Sequence, residues 1–201
     1  MAINPQHHIS PAAYLAFERA QTDARHEYLN GEIVAMSGAS LVHHIIVSNL
    51  VIILGIQMRG RSCNVFASDM RVKIPATGLY TYPDIAALCG ALALEDDVAD
   101  TLLNPSVIVE VLSPSTEAYD RGAKFAHYQR IESLHAYVLV AQDRPRIEIF
   151  LRREDGDWLY SVADVPDATI RLDTIDCALR LADVYEGVSF TPTAEAGDQT
   201  S

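Results

Sequence analysis

Apolar and polar positions follow two periods along this chain, and the switches between them mark its elements. PAAYLAFERAQ begins behind Ser10, a helix N-cap with Pro11 at the first helical position, and Tyr14, Phe17 and Leu15 form its inward face. RHEYLNGEIVAM follows as two extended segments around Asn30-Gly31, the strongest short hairpin signal. In SGASLVHHIIVSNLVIILGIQMRG, Ile45, Ile46, Asn49, Leu50, Ile53 and Leu54 recur at helical spacing, with Ser40 as N-cap and Gly60 as the stop. Strands come next: CNVFASDMRVKI, closed by Pro75 and Gly78, then YTYPDIAALCG, entered through Pro83, then SVIVEVLSP. STEAYDRGAKFAHYQRIES reads as a helix capped by Ser115 or Thr116, with Gly122 as a weak point. HAYVLVAQ and RIEIFLRRE are strands joined by DRP, DWLYSVAD and ATIRLDTI are outer strands, and LRLADVYEG is a short closing helix.

This order predicts an α/β fold with a mixed central β-sheet flanked by helices, preceded by an N-terminal helix and a β-hairpin. No linker or internal repeat interrupts residues 1–188, which read as one domain. Residues 91–104 form an acidic surface loop, and 189–201 a loose acidic tail. Of the 201 residues 49% are hydrophobic, which supports a substantial core and argues against disorder. The longest apolar run, IIVSNLVIILGI, is too short and interrupted for a membrane span, and the N-terminus lacks the pattern of a signal peptide. Cys63, Cys89 and Cys177 are unpatterned, so the expectation is reduced thiols and a cytoplasmic protein. A net charge of −12 disfavours nucleic acid as a partner on charge alone. Basic pairs such as Arg71/Lys73 and Arg144/Arg146, and the set Arg121, Lys124 and Arg130, still leave room for a locally basic groove.

Glu110 stands inside the apolar run SVIVEVLSP, where an unpaired carboxylate costs several kcal/mol. Asp84 opens another core strand 26 residues earlier. Lys124 lies on the helix after the Glu110 strand, with Tyr128 one turn beyond. Two carboxylates on adjacent strands suit a hard divalent cation, and a lysine nearby can orient water and offset phosphate charge. Structural roles compete: Asp84 as a turn cap, Glu110 in an ion pair with Lys124 or an arginine, Tyr128 as core, Asp69 paired to Arg71 or Arg121. His43 and His44 are adjacent on one helix, so at most one of them can face a site.

YPDIAAL, VIVEVLSPSTEAYDRGAKFAHYQRIESLHAYVLV and RHEYLNGEIVAMSG resemble the Uma-two family of restriction endonucleases, part of the PD-(D/E)xK nuclease superfamily. The resemblance spans about Tyr14 to Gly187. It implies a restriction-endonuclease-like core and hydrolysis of phosphodiester bonds, in DNA, with Mg²⁺ or Mn²⁺. It also implies Asp84, Glu110 and the backbone oxygen of Val111 as metal ligands. The superfamily's lysine normally follows the second acid by two residues; Leu112 holds that position here, so the role falls to Lys124. Glu32, with Glu27 behind it, is expected to support the metal site through water, and His43 to contact phosphate or water. Asp69 is placed on the strand before Asp84. A homodimer would suit cleavage of both strands. A catalytically silent nucleic-acid- or protein-binding module on the same fold, and a small-molecule phosphoesterase, are the competing functions.

Overall fold

A computed structural model describes residues 8–36 and 38–190. Helix α1 (Pro11–Arg19) is capped by the Ser10 side chain, and the hairpin strands β1 (His26–Leu29) and β2 (Glu32–Ala35) follow. Asn30 and Gly31 both adopt positive φ, 51° and 87°, as the two central positions of a primed hairpin turn require. The inward face of α1 differs from the expectation. Tyr14 and Leu15 are buried with Glu18, whereas Phe17 is 40% exposed, because the small core beneath α1 is filled by Tyr28 and Tyr80.

Helix α2 (Leu41–Met58) runs from the Ser40 cap and turns its Ile46, Leu50, Leu54 and Met58 stripe onto the main sheet. At 18 residues and a mean hydropathy of 1.9 it is long and apolar enough, by those measures, to cross a membrane, which corrects the shorter run read from sequence. CNVFASDMRVKI is not one strand. The turn at Ser68–Met70 splits it into β3 (Cys63–Ala67) and β4 (Arg71–Ile74), which enter different sheets. Asp69 therefore sits in a turn and pairs with Arg25 at 3.0 Å, neither on a strand nor with Arg71 or Arg121.

Strands β5 (Leu79–Thr81), β6 (Ile85–Cys89), β7 (Thr101–Leu102), β8 (Val107–Val111), β9 (Ala136–Val140), β10 (Ile147–Arg152) and β11 (Trp158–Ala163) complete two sheets. One has the order β2-β1-β5-β4-β7, the other β11-β10-β9-β8-β6-β3, with β8 and β9 parallel at its centre. Strands β12 (Thr169–Leu172) and β13 (Cys177–Arg180) form a separate pair ahead of the short helix α5 (Leu181–Val184). The acidic 91–104 stretch is tied down: Glu95 meets Lys73 and Tyr80, while Asp96 and Asp100 hold Arg19. Phe190 packs on Tyr185 beyond residue 188, and the predicted tail from 191 onward lies outside the described residues.

Period two along β8 sets the site. Val107, Val109 and Val111 face the core under α2, while Ile108 and Leu112 face the opposite core with Phe125 and Tyr128. Glu110 shares that second face. Cys63 and Cys89, opposite each other on β3 and β6, are joined as a disulfide; their adjacency across the ladder corrects the expectation of reduced thiols, and Cys177 stays a buried free thiol.

Candidate active site

The chain leaves one sheet at β5 and enters the other at β6 through Tyr82-Pro83-Asp84, so Asp84 stands at the crossover. The β6–β8 register pairs Ile85 with Val109. Continued by one residue, it sets Asp84 opposite Glu110, on one face. The Asp84 N–H donates to Glu110 Oε2 at 3.4 Å, and Asp84 Oδ2 accepts the Val111 N–H at 2.8 Å. His43, in the first turn of α2, places Nε2 3.1 Å from Asp84 Oδ1. Its Nδ1 is buried without a partner among the described residues.

The helix expected after β8 is interrupted. Short α-turns α3 (Glu117–Tyr119) and α4 (Phe125–Tyr128) flank a π-helical turn at Asp120–Lys124. The wider turn accommodates one extra residue, so that consecutive side chains, Lys124 and Phe125, both point inward. Lys124 Nζ lies 2.9 Å from Glu110 Oε1, 3.4 Å from Glu27 Oε1 and 3.6 Å from Asp120 Oδ1. The Tyr128 hydroxyl donates to the same Glu110 Oε1 at 2.8 Å. Glu110 thus has one oxygen held by two donors, and the other meets only the long Asp84 N–H contact.

Glu110 is 4% exposed. Burial pushes its carboxyl up; Lys124 opposes this, Asp84 and Asp120 reinforce it, and the result is about 8. Burial also works against the Lys124 ammonium, but Glu110, Glu27 and Asp120 outweigh it and hold the group protonated well above the ordinary lysine range. One ammonium therefore faces a surplus of carboxylates. The donor chemistry fits a hard divalent cation: an open oxygen on Glu110, Asp84 Oδ1 beside it, and a buried unpartnered imidazole nitrogen close by. Among the described residues no three carboxylate, imidazole or thiolate groups form a ready-made cage. Mg²⁺ does not demand one, since it typically uses one or two carboxylates and keeps several waters.

The site opens into a cavity of about 1050 Å³ whose lining includes Glu27, Glu32, His43, Asp84, Glu110 and Lys124. Asp84, Glu110, Lys124, Tyr128 and His43 come together, and Val111 joins them through its N–H. Of the two hairpin glutamates, Glu27 reaches Lys124 and accepts from the Thr81 hydroxyl, while Glu32 lines the cavity with an exposed side chain. His44 is exposed, and Leu112 is core. Asp120 and Tyr119 were not anticipated. Asp120 is 3% exposed, and Tyr119 lines the cavity beside it. Asp120, Lys124 and Tyr128 recur every four residues, a spacing that marks one helical face and was available as a signal.

Known proteins share this chain's sequence pattern and fold. Residues 11–182 match the Uma2 family model, described as "Putative restriction endonuclease". Two Synechocystis proteins, both named as uncharacterized, are 35% identical over 90% of this chain and 94% of their own length (slr1290), and 34% identical over 76% and 86% (sll1609). The crystal structure of a "putative nuclease" from Anabaena variabilis superposes with a TM-score of 0.72, at 18% identity, over 89% of this chain and 98% of that one, which establishes the shared fold. With the match covering most of the chain and the expected acids converging at one crossover, this protein belongs to the Uma2 family of restriction-endonuclease-like proteins and has a nuclease fold.

Proposed function

We propose that this chain is an Mg²⁺-dependent endonuclease, with Mn²⁺ as an alternative ion, that hydrolyses phosphodiester bonds of DNA. One observation carries the reading: Asp84 and Glu110 lie opposite each other with Lys124 2.9 Å from Glu110, in a cavity that reaches solvent. Asp84, Glu110 and the backbone oxygen of Val111 would hold the cation, which when bound supplies Lewis-acid polarisation of the phosphate and eases deprotonation of the attacking water. The chain's own groups orient this pair. Val111 N–H and His43 fix the Asp84 carboxylate from two sides, and Tyr128 and Lys124 pin Glu110 Oε1 so that Oε2 faces Asp84. The Lys124 ammonium, kept protonated by Glu27 and Asp120 as well, is placed to hydrogen-bond the water or a non-bridging phosphate oxygen. Its fixed charge stabilises the charge that develops on the phosphate, with little reorganisation.

The test is nicking of supercoiled plasmid in Mg²⁺ or Mn²⁺ by wild type, Asp84→Ala and Lys124→Ala. Nicking by wild type and its loss in both variants and in excess chelator is expected. Undiminished nicking in the variants or the chelator overturns the proposal.

A further inference from the structure

The face that the hairpin turns toward the cavity is determined by strand period. Glu27 on β1 is paired with Val34 on β2, and Leu29 with Glu32. Cross-strand partners share a face, so Glu27, Leu29, Glu32 and Val34 line the cavity together, joined by Met36 two residues further on. Tyr28 and Ile33 point the other way, into the small aromatic core. Val34 is 58% exposed and Met36 37%, although both line the same cavity as the charged cluster of Glu27, Asp84, Glu110 and Lys124. Val34 is a single cross-strand step from Glu27, the carboxylate that touches Lys124.

The charge around this apolar shelf is equally informative. Among the described residues lining the cavity, Arg25 and Lys124 are the arginine and lysine side chains, beside two histidines, His43 and His44. Arg25 and Lys124 are both engaged, Arg25 with Asp69 at 3.0 Å and Lys124 with Glu110 at 2.9 Å. The whole chain carries −12. Duplex DNA is gripped chiefly by lysine and arginine contacts to many phosphates. This cavity offers almost none. Its volume of about 1050 Å³ is that of a small-ligand pocket, on the scale of a nucleotide and not of a double helix.

We infer that Val34 and Met36 form a nucleobase shelf, and that the site takes an unpaired nucleotide of a single-stranded or locally opened polynucleotide. This rests on the nuclease reading for the identity of the scissile group. An unpaired base offers an apolar face that a stacked pair hides, and its burial supplies attraction that a poorly basic surface cannot draw from phosphates. Few phosphate contacts also imply shallow salt dependence, with a slope in log Kd against log salt no steeper than about 1.4 for two contacts to a single strand.

The experiment measures binding by fluorescence anisotropy in Ca²⁺, a hard cation of the same charge and oxygen preference as Mg²⁺. The probes are a labelled thymidine oligonucleotide, an abasic oligonucleotide of equal length, a duplex, and a uridine oligoribonucleotide to separate DNA from RNA as the source of the base. The thymidine or uridine strand is expected to bind about tenfold more tightly than the abasic strand and the duplex. The double variant Val34→Thr, Met36→Gln keeps shape at two exposed positions and should erase that preference while retaining the wild-type thermal melt. Equal binding of abasic and base-bearing strands, no binding of either, or a preference that survives in the double variant overturns the shelf. Plasmid nicking separates the two readings. Asp84-dependent nicking without base preference leaves the nuclease and removes the shelf, whereas base preference without any Asp84-dependent turnover leaves the shelf and removes the nuclease.

Discussion

Two glutamates of the main sheet, Glu110 on β8 and Glu148 on β10, are each 4% exposed, yet their surroundings drive them in opposite directions. Glu148 receives both arms of the Arg121 guanidinium at 2.8 and 2.9 Å, Arg146 Nε at 3.0 Å and the Tyr160 hydroxyl at 2.7 Å. The Arg121 hydrogen bonds dominate over burial and hold its carboxyl down at about 2. Glu110 has one ammonium and one hydroxyl, shares the ammonium with Glu27 and Asp120, and is pushed up to about 8. The π-turn Asp120–Lys124 supplies a cation to each, Arg121 to Glu148 and Lys124 to Glu110. Burial alone therefore does not identify a functional carboxylate. Where arginines complete the charge, the group is structural; where acids outnumber the local cation, the site is left with an affinity for another positive charge.

The largest expected contrast is between Glu110→Gln and Glu148→Gln. Glu110→Gln should lower plasmid nicking at least about a hundredfold, the scale of losing one preorganised electrostatic contact. Its urea unfolding free energy should stay level or rise, because the change relieves an acid surplus. Glu148→Gln should leave nicking at the wild-type rate and cost about 3 kcal/mol of stability, since two guanidinium groups lose their counter-charge. Equal losses of nicking in the two variants would show that the glutamates do not divide into site and scaffold.

The second expectation concerns acid. With its folded value depressed to about 2 from an ordinary 4.5, Glu148 binds its proton less readily in the folded than in the unfolded chain. Its contribution is complete above about pH 4.5 and is lost as pH falls toward 2. The stability gap between wild type and Glu148→Gln, from urea unfolding at several pH values, should therefore close across that window. A gap that stays constant down to pH 2 would place its cause in packing and not in charge.

Much of this division could be read before folding, and the failures have identifiable causes. The charge inside SVIVEVLSP was conspicuous because β8 is otherwise apolar, and Asn30-Gly31, Ser10-Pro11 and Ser40 act through local backbone geometry that any context preserves. Glu148 is inconspicuous in sequence: RIEIFLRRE alternates like a half-buried strand, and although Arg146 stands two residues before it, Arg121, which grips both carboxylate oxygens, comes from a turn 27 residues earlier. The roles of Glu27 and Glu32 could not be separated because both lie on one face of the hairpin, and only the docking of β1 on β5 decides which one meets Lys124. The break of CNVFASDMRVKI into two sheets depends on pairing partners far along the chain, β6 for one half and β5 and β7 for the other. The Cys63–Cys89 pairing likewise follows from register between strands 26 residues apart, which spacing alone does not reveal.

The smallest expected effects come from a matched pair of tyrosines. Tyr128 donates to Glu110 Oε1 at 2.8 Å and Tyr160 to Glu148 Oε2 at 2.7 Å, so Tyr→Phe removes one comparable hydrogen bond at each place. Tyr160→Phe leaves Glu148 with Arg121 and Arg146, both better donors, and exposes the vacated oxygen at a strand whose Tyr160 is 47% exposed. The expected cost is about 1 kcal/mol of stability, read from urea unfolding, with nicking unchanged. Tyr128→Phe leaves Glu110 Oε1 with Lys124 alone, on the buried side of the carboxylate. Freed of one of its two restraints, the carboxylate can rotate, and an active site loses rate when a ligand or orienting group drifts by a fraction of an ångström. Nicking should fall about tenfold, as for loss of a group that supports a metal ligand from outside. If Tyr128→Phe slows nicking no more than Tyr160→Phe does, the hydroxyl at Glu110 serves packing alone, and orientation of that carboxylate rests on Lys124.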